Sequence, residues 1–121
     1  MKKILIVDDE PNILMTLEYT FKKKNYQVFI ARDGQEALDL MNVEIPNVVI
    51  LDIMMPEVDG YATLHAMKKN PSLQECRVIF LSAKNKESDI EKGLILGADA
   101  YVTKPFSIKK LLEKVENLLL G

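Results

Sequence analysis

The sequence predicts an α/β fold, a parallel five-stranded sheet covered on both faces by helices. Two patterns lead there. Five short apolar runs recur along the 121 residues, and each is followed by a segment whose apolar residues keep helical spacing. Three of the runs are apolar at successive positions, which marks strands buried on both sides. Composition agrees, with 48% hydrophobic and 28% charged residues, as in an ordinary globular protein. A chain of this length makes one domain, residues 1–121, and buries roughly two-thirds of the surface its unfolded form exposes.

The first run, KILIV (3–7), precedes PNILMTLEYTFKKK (11–24). There Pro11 suits a first helical turn, Ile13, Leu17, Thr20 and Phe21 follow helical spacing, and Asn25 is a stop. QVFIA (27–31) leads to DGQEALDLMN (33–42), which gathers Ala37, Leu38 and Met41 on one face. NVVIL (47–51) leads to DGYATLHAMKKN (59–70), capped by Asp59 and ended before Pro71. CRVIFL (76–81) leads to KESDIEKGLILGA (86–98), closed by Gly97. DAYV (99–102) leads to SIKKLLEKVENLLL (107–120), opened by Ser107. The first, third and fourth runs are the ones expected to be buried on both faces. The chain carries no repeat, low-complexity tract or interdomain linker.

Several function classes are excluded on composition. One cysteine, Cys76, forms no intramolecular disulfide, and with the single His65 it builds no Cys/His metal site. Cys76 is expected as a buried reduced thiol and His65 as a surface or packing residue. No segment approaches the roughly 20 apolar residues of a membrane span, and MKKILIVDDE does not read as a signal peptide. The expectation is a soluble, cytoplasmic protein. A net charge of −2 argues against direct nucleic-acid binding, and the lysines of KKK (22–24) and KK (68–69) read as solvated helix ends.

In open parallel sheets ligands bind beyond the carboxyl ends of the strands, where strand order reverses. Polar residues should therefore collect at those ends, and they do. The first run ends in Asp8-Asp9, the third in Asp52, the fourth in Ser82, and the fifth leads to Lys104-Pro105. Taken singly, an Asp after a strand is usually a turn or cap residue. Taken together, three carboxylates on neighbouring strands raise one another's free energy, which a divalent cation relieves. Oxygen ligands with room for water and phosphate suit Mg2+ better than zinc. Lys104 supplies a mobile charge for a phosphoryl oxygen, and Ser82 a hydroxyl donor. These are the parts of a phosphoryl-transfer site with an aspartate nucleophile.

KILIVDDE, LDIMMPEVDG, FLSAK and GADAYVTKPF together resemble the receiver domain of two-component response regulators, the CheY-like superfamily, over the whole chain. The resemblance implies a flavodoxin-like (βα)5 three-layer sandwich with strand order 2-1-3-4-5. It implies Asp52 as phosphoacceptor from the phosphohistidine of a sensor histidine kinase or histidine phosphotransfer protein. Asp8, Asp9, Asp52 and the backbone carbonyl of Met54 would bind Mg2+. Ser82 and Lys104 would meet the phosphoryl group, and Pro105 would follow a cis peptide. Tyr101 would swing inward as the Ser82 hydroxyl moves. Pro56 and Gly60, with Asp59, would shape the loop after the acceptor. Such a protein is no enzyme toward other substrates; it catalyses only its own phosphorylation and dephosphorylation.

Receivers vary at the positions of Met54 and Lys84, neither of which is suited to orient an attacking water, so slow loss of the phosphoryl group is expected. LSAKNKESDIEKGLILGADAYVTKPF resembles receivers that dimerise on phosphorylation through the fourth helix, fifth strand and fifth helix (α4-β5-α5). Ala100 and Lys110 replace acids there, so a monomer whose same face docks an output protein is the other expectation. The chain stops one helix after KPF; a stand-alone receiver is expected, or one domain of a longer regulator. Ile13, Leu14 and Met15 are candidates for kinase docking. Two other functions fit the same fold class less well. A haloacid-dehalogenase-type phosphatase needs a second aspartate two residues after a first-strand nucleophile, which Asp8-Asp9-Glu10-Pro11 lacks. A phosphorylation-independent interaction module is the alternative, although such domains usually lose an acid or the lysine, and none is lost here.

Overall fold

The structure is a computed structural model and describes residues 1–120. Five parallel strands lie in the order β2-β1-β3-β4-β5. They are β1 (Lys3–Val7), β2 (Gln27–Ala31), β3 (Val48–Leu51), β4 (Arg77–Ser82) and β5 (Ala100–Thr103). Five helices alternate with them: α1 (Pro11–Lys23), α2 (Gly34–Met41), α3 (Gly60–Lys68), α4 (Glu87–Ile95) and α5 (Ile108–Leu120). The predicted class, order and alternation are those observed.

The sheet divides the apolar interior into two layers, as the two-residue period of a strand requires. Ile4 and Ile6 of β1 point to one side, where Leu14, Leu17 and Phe21 of α1 meet Leu111 and Val115 of α5. Leu5 and Val7 point to the other, where Ala37 and Met41 of α2 meet Leu64 and Met67 of α3. Strands β1, β3 and β4 are buried almost throughout, whereas the edge strands β2 and β5 are only partly covered. This is the expected consequence of placing continuous apolar runs at the centre of a sheet.

The helix ends behave as their residues dictate. Asn25 takes a left-handed φ of 68° just past α1, and Gly97 one of 113° just past α4. Asp33 and Asp59 accept from the backbone N–H three residues on, each at 2.8 Å. Ser107 Oγ accepts from Lys110 N at 3.2 Å.

Three strand limits shift by one residue. Asn47, Cys76 and Asp99 stand just before β3, β4 and β5, and their side chains bond sideways. Asn47 Oδ1 accepts from Lys3 N at 2.8 Å, Asp99 Oδ2 from Val78 N at 2.7 Å, and Cys76 Sγ donates to the Pro46 carbonyl at 2.9 Å. Cys76 is buried, and that burial pushes its thiol up to about 11. His65 is exposed on α3, and the lysines of 22–24 and 68–69 are exposed as expected.

Among the docking candidates, Leu14 proves to be core: Leu14, Leu17 and Phe21 form the buried stripe of α1. Met15 stays exposed and Ile13 is partly covered. No helix among the described residues is long and apolar enough to cross a membrane.

Candidate functional site

Parallel strands all end on the same side of the sheet, so whatever follows β1, β3, β4 and β5 meets at one rim. Asp8 follows β1 directly, and its N–H bonds the last carbonyl of β2, that of Ala31, at 3.1 Å. Asp52 follows β3, its N–H bonded to the Val7 carbonyl at 2.9 Å. Both carboxylates are thus fixed by extending the sheet one residue past its apolar part. Lys104 is held similarly beyond β5, its N–H bonded to the Ser82 carbonyl at 2.9 Å, and the Lys104–Pro105 peptide is cis.

The side chains converge on a cleft of about 240 Å³ lined by Asp9, Glu10, Asp52, Met54, Ala83 and Lys104. Lys104 Nζ sits 2.9 Å from Asp8 Oδ2, 3.2 Å from Glu10 Oε1 and 3.5 Å from Asp52 Oδ2. Asp8 and Asp52 are almost wholly buried, 1% and 4% exposed, whereas Asp9 and Glu10 face solvent. Burial raises the carboxyl pKa of Asp52 above its ordinary value, the negative charge of Asp8 adds to this, and Lys104 only partly opposes it. Burial likewise raises Asp8. Burial pulls the Lys104 ammonium down, but Asp8, Asp52 and Glu10 outweigh that and leave its pKa above normal.

One ammonium thus serves several acids, and the donor set fits a hard divalent cation. All the ligands are oxygens, and buried Asp8 Oδ2 makes no directed hydrogen bond despite its closeness to Lys104. Among the described residues, Asp8, Asp9 and Glu10 bring carboxylate oxygens within 4.8 Å of one another. Asp52 stands outside that trio, with the lysine ammonium between it and Asp8. Glu10 is the residue that sequence reasoning passed over. Its only signal was its place in the run DDE, whose third acid reads as a helix-start residue.

The remaining predicted residues surround this cluster. Met54 lines the cleft, and its N–H donates to Asp52 Oδ1 at 3.4 Å. Ser82, the last residue of β4, is fully buried; its Oγ accepts from Lys84 N at 3.3 Å, and Ala83 rather than Ser82 lines the cleft. Tyr101 lies partly buried with its ring 6.0 Å from that of Phe80, and its hydroxyl donates to the Lys84 carbonyl at 2.7 Å. Burial, with Tyr61 and Asp89 nearby, pushes the Tyr101 hydroxyl up to about 12, and the Ser82 hydroxyl acts on it in the opposite sense. Pro56 lies in the β3–α3 loop, where Glu57 adopts a positive φ of 65°. Gly60 starts α3 directly under the acceptor, where a Cβ would collide with the Asp52 carbonyl oxygen.

A doubly covered 2-1-3-4-5 sheet with acids after β1 and β3 and a lysine after β5 defines a class of signalling domain. The sequence matches the response regulator receiver domain over residues 4–116, and the chain belongs to that family. Solved structures agree over nearly full length. The receiver domain of the Francisella response regulator 1452 is 35% identical with a TM-score of 0.92, covering 99% of this chain and 98% of its own. The signal receiver domain of a signal transduction histidine kinase from Syntrophus aciditrophicus is also 35% identical, with a TM-score of 0.92, covering 100% and 92%. The BeF3-activated DrrB receiver domain is 34% identical with a TM-score of 0.91, covering 100% and 99%. Receiver domains of two-component systems work with histidine kinases and output domains, and that is the setting of this chain.

Proposed function

We propose that this receiver is a phosphoacceptor, in which Asp52 takes a phosphoryl group from the phosphohistidine of a sensor histidine kinase or histidine phosphotransfer protein. The observation that carries the reading is the buried Asp52 carboxylate at the mouth of β3, open to a cleft and 3.5 Å from the Lys104 ammonium. In the transfer an Asp52 oxygen bonds to phosphorus as the P–N bond breaks, and the imidazole leaves with the bonding pair. The burial that raises the Asp52 pKa also makes its carboxylate a stronger nucleophile once ionised. Lys104 holds a phosphoryl oxygen. Asp8, Asp9, Asp52 and the Met54 carbonyl would hold Mg2+, with Glu10 within reach. Bound there, the ion would neutralise the acids and the charge growing on the phosphoryl oxygens.

The readout follows from what is packed behind the acceptor. Ser82 Oγ would leave Lys84 N for a phosphoryl oxygen, altering the loop carbonyl that Tyr101 now grips. Phosphorylation then biases two arrangements of the α4-β5-α5 face, where an output protein binds. The BeF3-activated form of the DrrB receiver supports a phosphoryl-like trigger in this fold. Met54 lines the cleft but has only a thioether, and Lys84 Nζ is engaged 3.7 Å from Asp89, so neither holds a water for hydrolysis. The phosphoryl group is therefore long-lived, and the chain catalyses only its own phosphorylation and dephosphorylation, in the cytoplasm.

Intact mass after incubation with Mg2+ and a small-molecule phosphodonor tests this. One added phosphoryl group on the wild type, none on Asp52→Asn, and slow decay once the donor is removed are expected. No Mg2+-dependent adduct on the wild type would overturn the reading and favour a phosphorylation-independent interaction module.

A further inference from the structure

Glu10 occupies the N-cap position of α1 yet makes no side-chain capping bond. Glutamate is a poor residue for that position, where Ser, Thr, Asp and Asn are preferred. Its own N–H is instead satisfied by Asp8 Oδ1 at 2.9 Å. Freed from capping, the Glu10 carboxylate reaches across the cleft to Lys104 Nζ at 3.2 Å, a partner 94 residues away. The two side chains differ sharply in exposure, 57% for Glu10 against 11% for Lys104. An ion pair with one arm in water adds little to stability and is easily broken, so beside the shorter Asp8 contact it is a releasable hold on the lysine.

An ammonium has three donors. Here its three acidic neighbours are Asp8, Glu10 and Asp52, and the longest distance, 3.5 Å, is to the acceptor itself. Asp8 and Asp52 are fixed by the sheet, whereas Glu10 can release the lysine simply by turning into solvent. Its charge also lies on the rim that an anionic donor must pass, since Glu10 lines both the acceptor cleft and the neighbouring apolar recess with Ile13, Pro105 and Phe106.

We infer that Glu10 is a positioning residue for phosphorylation, holding Lys104 toward the cleft mouth and away from Asp52 until the incoming phosphoryl group draws the ammonium across. This rests on the phosphoacceptor reading above. It makes the unphosphorylated domain selective: small anionic donors meet a withheld lysine, and a docked protein partner that moves Glu10 releases it.

The test compares Glu10→Gln with Glu57→Gln, which removes an equal charge from the exposed β3–α3 loop without touching Lys104. With phosphoramidate and Mg2+, Glu10→Gln should raise the second-order rate of Asp52 labelling roughly threefold to tenfold, mainly through a lower KM. Glu57→Gln should change it less than about twofold. A crystal structure of Glu10→Gln should show Lys104 Nζ drawn to about 2.8 Å from Asp52. Equal acceleration by both variants, or an unmoved lysine in Glu10→Gln, would overturn the inference. Absence of any adduct on the wild type would instead defeat the phosphoacceptor reading, and the lysine position in the crystal would still decide the role of Glu10.

Discussion

The rim of the sheet has two halves built on opposite terms. Around β1 and β3, three acids crowd one ammonium, and the buried carboxyls of Asp8 and Asp52 are held above their ordinary pKa. Around β4 and β5, ring packing dominates, although the buried Tyr61 hydroxyl has no hydrogen-bond partner. Tyr61, Phe80 and Tyr101 form a chain of rings with centroids 5.7 and 6.0 Å apart, Lys92 Nζ lies 4.2 Å over Tyr61, and Tyr101 Oη is bonded. The first half is electrostatically unfinished, with one ammonium shared among its acids. The second is held by ring packing and one hydroxyl bond rather than by charge. Ser82 Oγ, bonded to Lys84 N whose own carbonyl holds Tyr101, joins them.

The walls of the two halves should yield differently. Gly60 abuts backbone, the Asp52 carbonyl and Ile53 Cα, which cannot step aside without moving the acceptor. Gly60→Ala should destabilise the fold by about 3 kcal/mol in urea unfolding and slow Asp52 labelling as well. Unchanged stability would mean that the α3 start is mobile and does not fix the acceptor.

Next in size is relief of the acid cluster. The folded pKa values of Asp8 and Asp52 are raised, so these groups contribute stability that is fully present below about pH 4. That stability is lost as pH rises through the raised folded values, because the unfolded chain ionises first. Calorimetry of metal-free Asp8→Asn at pH 7 should show a Tm roughly 3 °C or more above wild type, with the gain shrinking toward pH 4. Mg2+ should raise the wild-type Tm and raise that of the variant less. A lower Tm in the variant would show that the Lys104 pair outweighs the burial of Asp8.

The smallest effect belongs to the aromatic half. A Cβ at Gly93 would come 2.9 Å from Phe80 Cδ2 and 3.0 Å from Tyr101 Cδ2, both side chains that can tilt. Alanine also favours the interior of α4, so Gly93→Ala should stay within about 1 kcal/mol of wild type. Its near-ultraviolet circular dichroism should change as the rings shift. A loss as large as that at Gly60 would make both halves equally rigid.

Much of this was legible in the residues because the signals are strong ones. Continuous apolar runs select central strands, and polar residues at their ends mark the rim where Asp8, Asp9, Asp52 and Lys104 collect. Strand order is not carried by any local pattern and came from resemblance. Helical spacing grouped Ile13 and Thr20 with Leu17 and Phe21, whereas Leu14 is the buried member and Ile13 and Thr20 are half-covered, because neighbouring residues differ by only about 100° around the helix. Glu10 escaped notice because its partner is remote in sequence and its position has a local explanation as a helix start. Ser82 is expected to turn toward a phosphoryl group, and the loop bond it makes in its place, to Lys84 N, is one that a serine ending a strand can form and that no sequence pattern announces.

The site of phosphorylation is the claim on which the rest depends. Borohydride reduction of the Mg2+-dependent adduct, followed by tandem mass spectrometry, converts an aspartyl phosphate to homoserine and locates it. Homoserine at position 52 alone is expected. Label at Asp8, Asp9 or any other acid, or a stable adduct that resists borohydride, would contradict it.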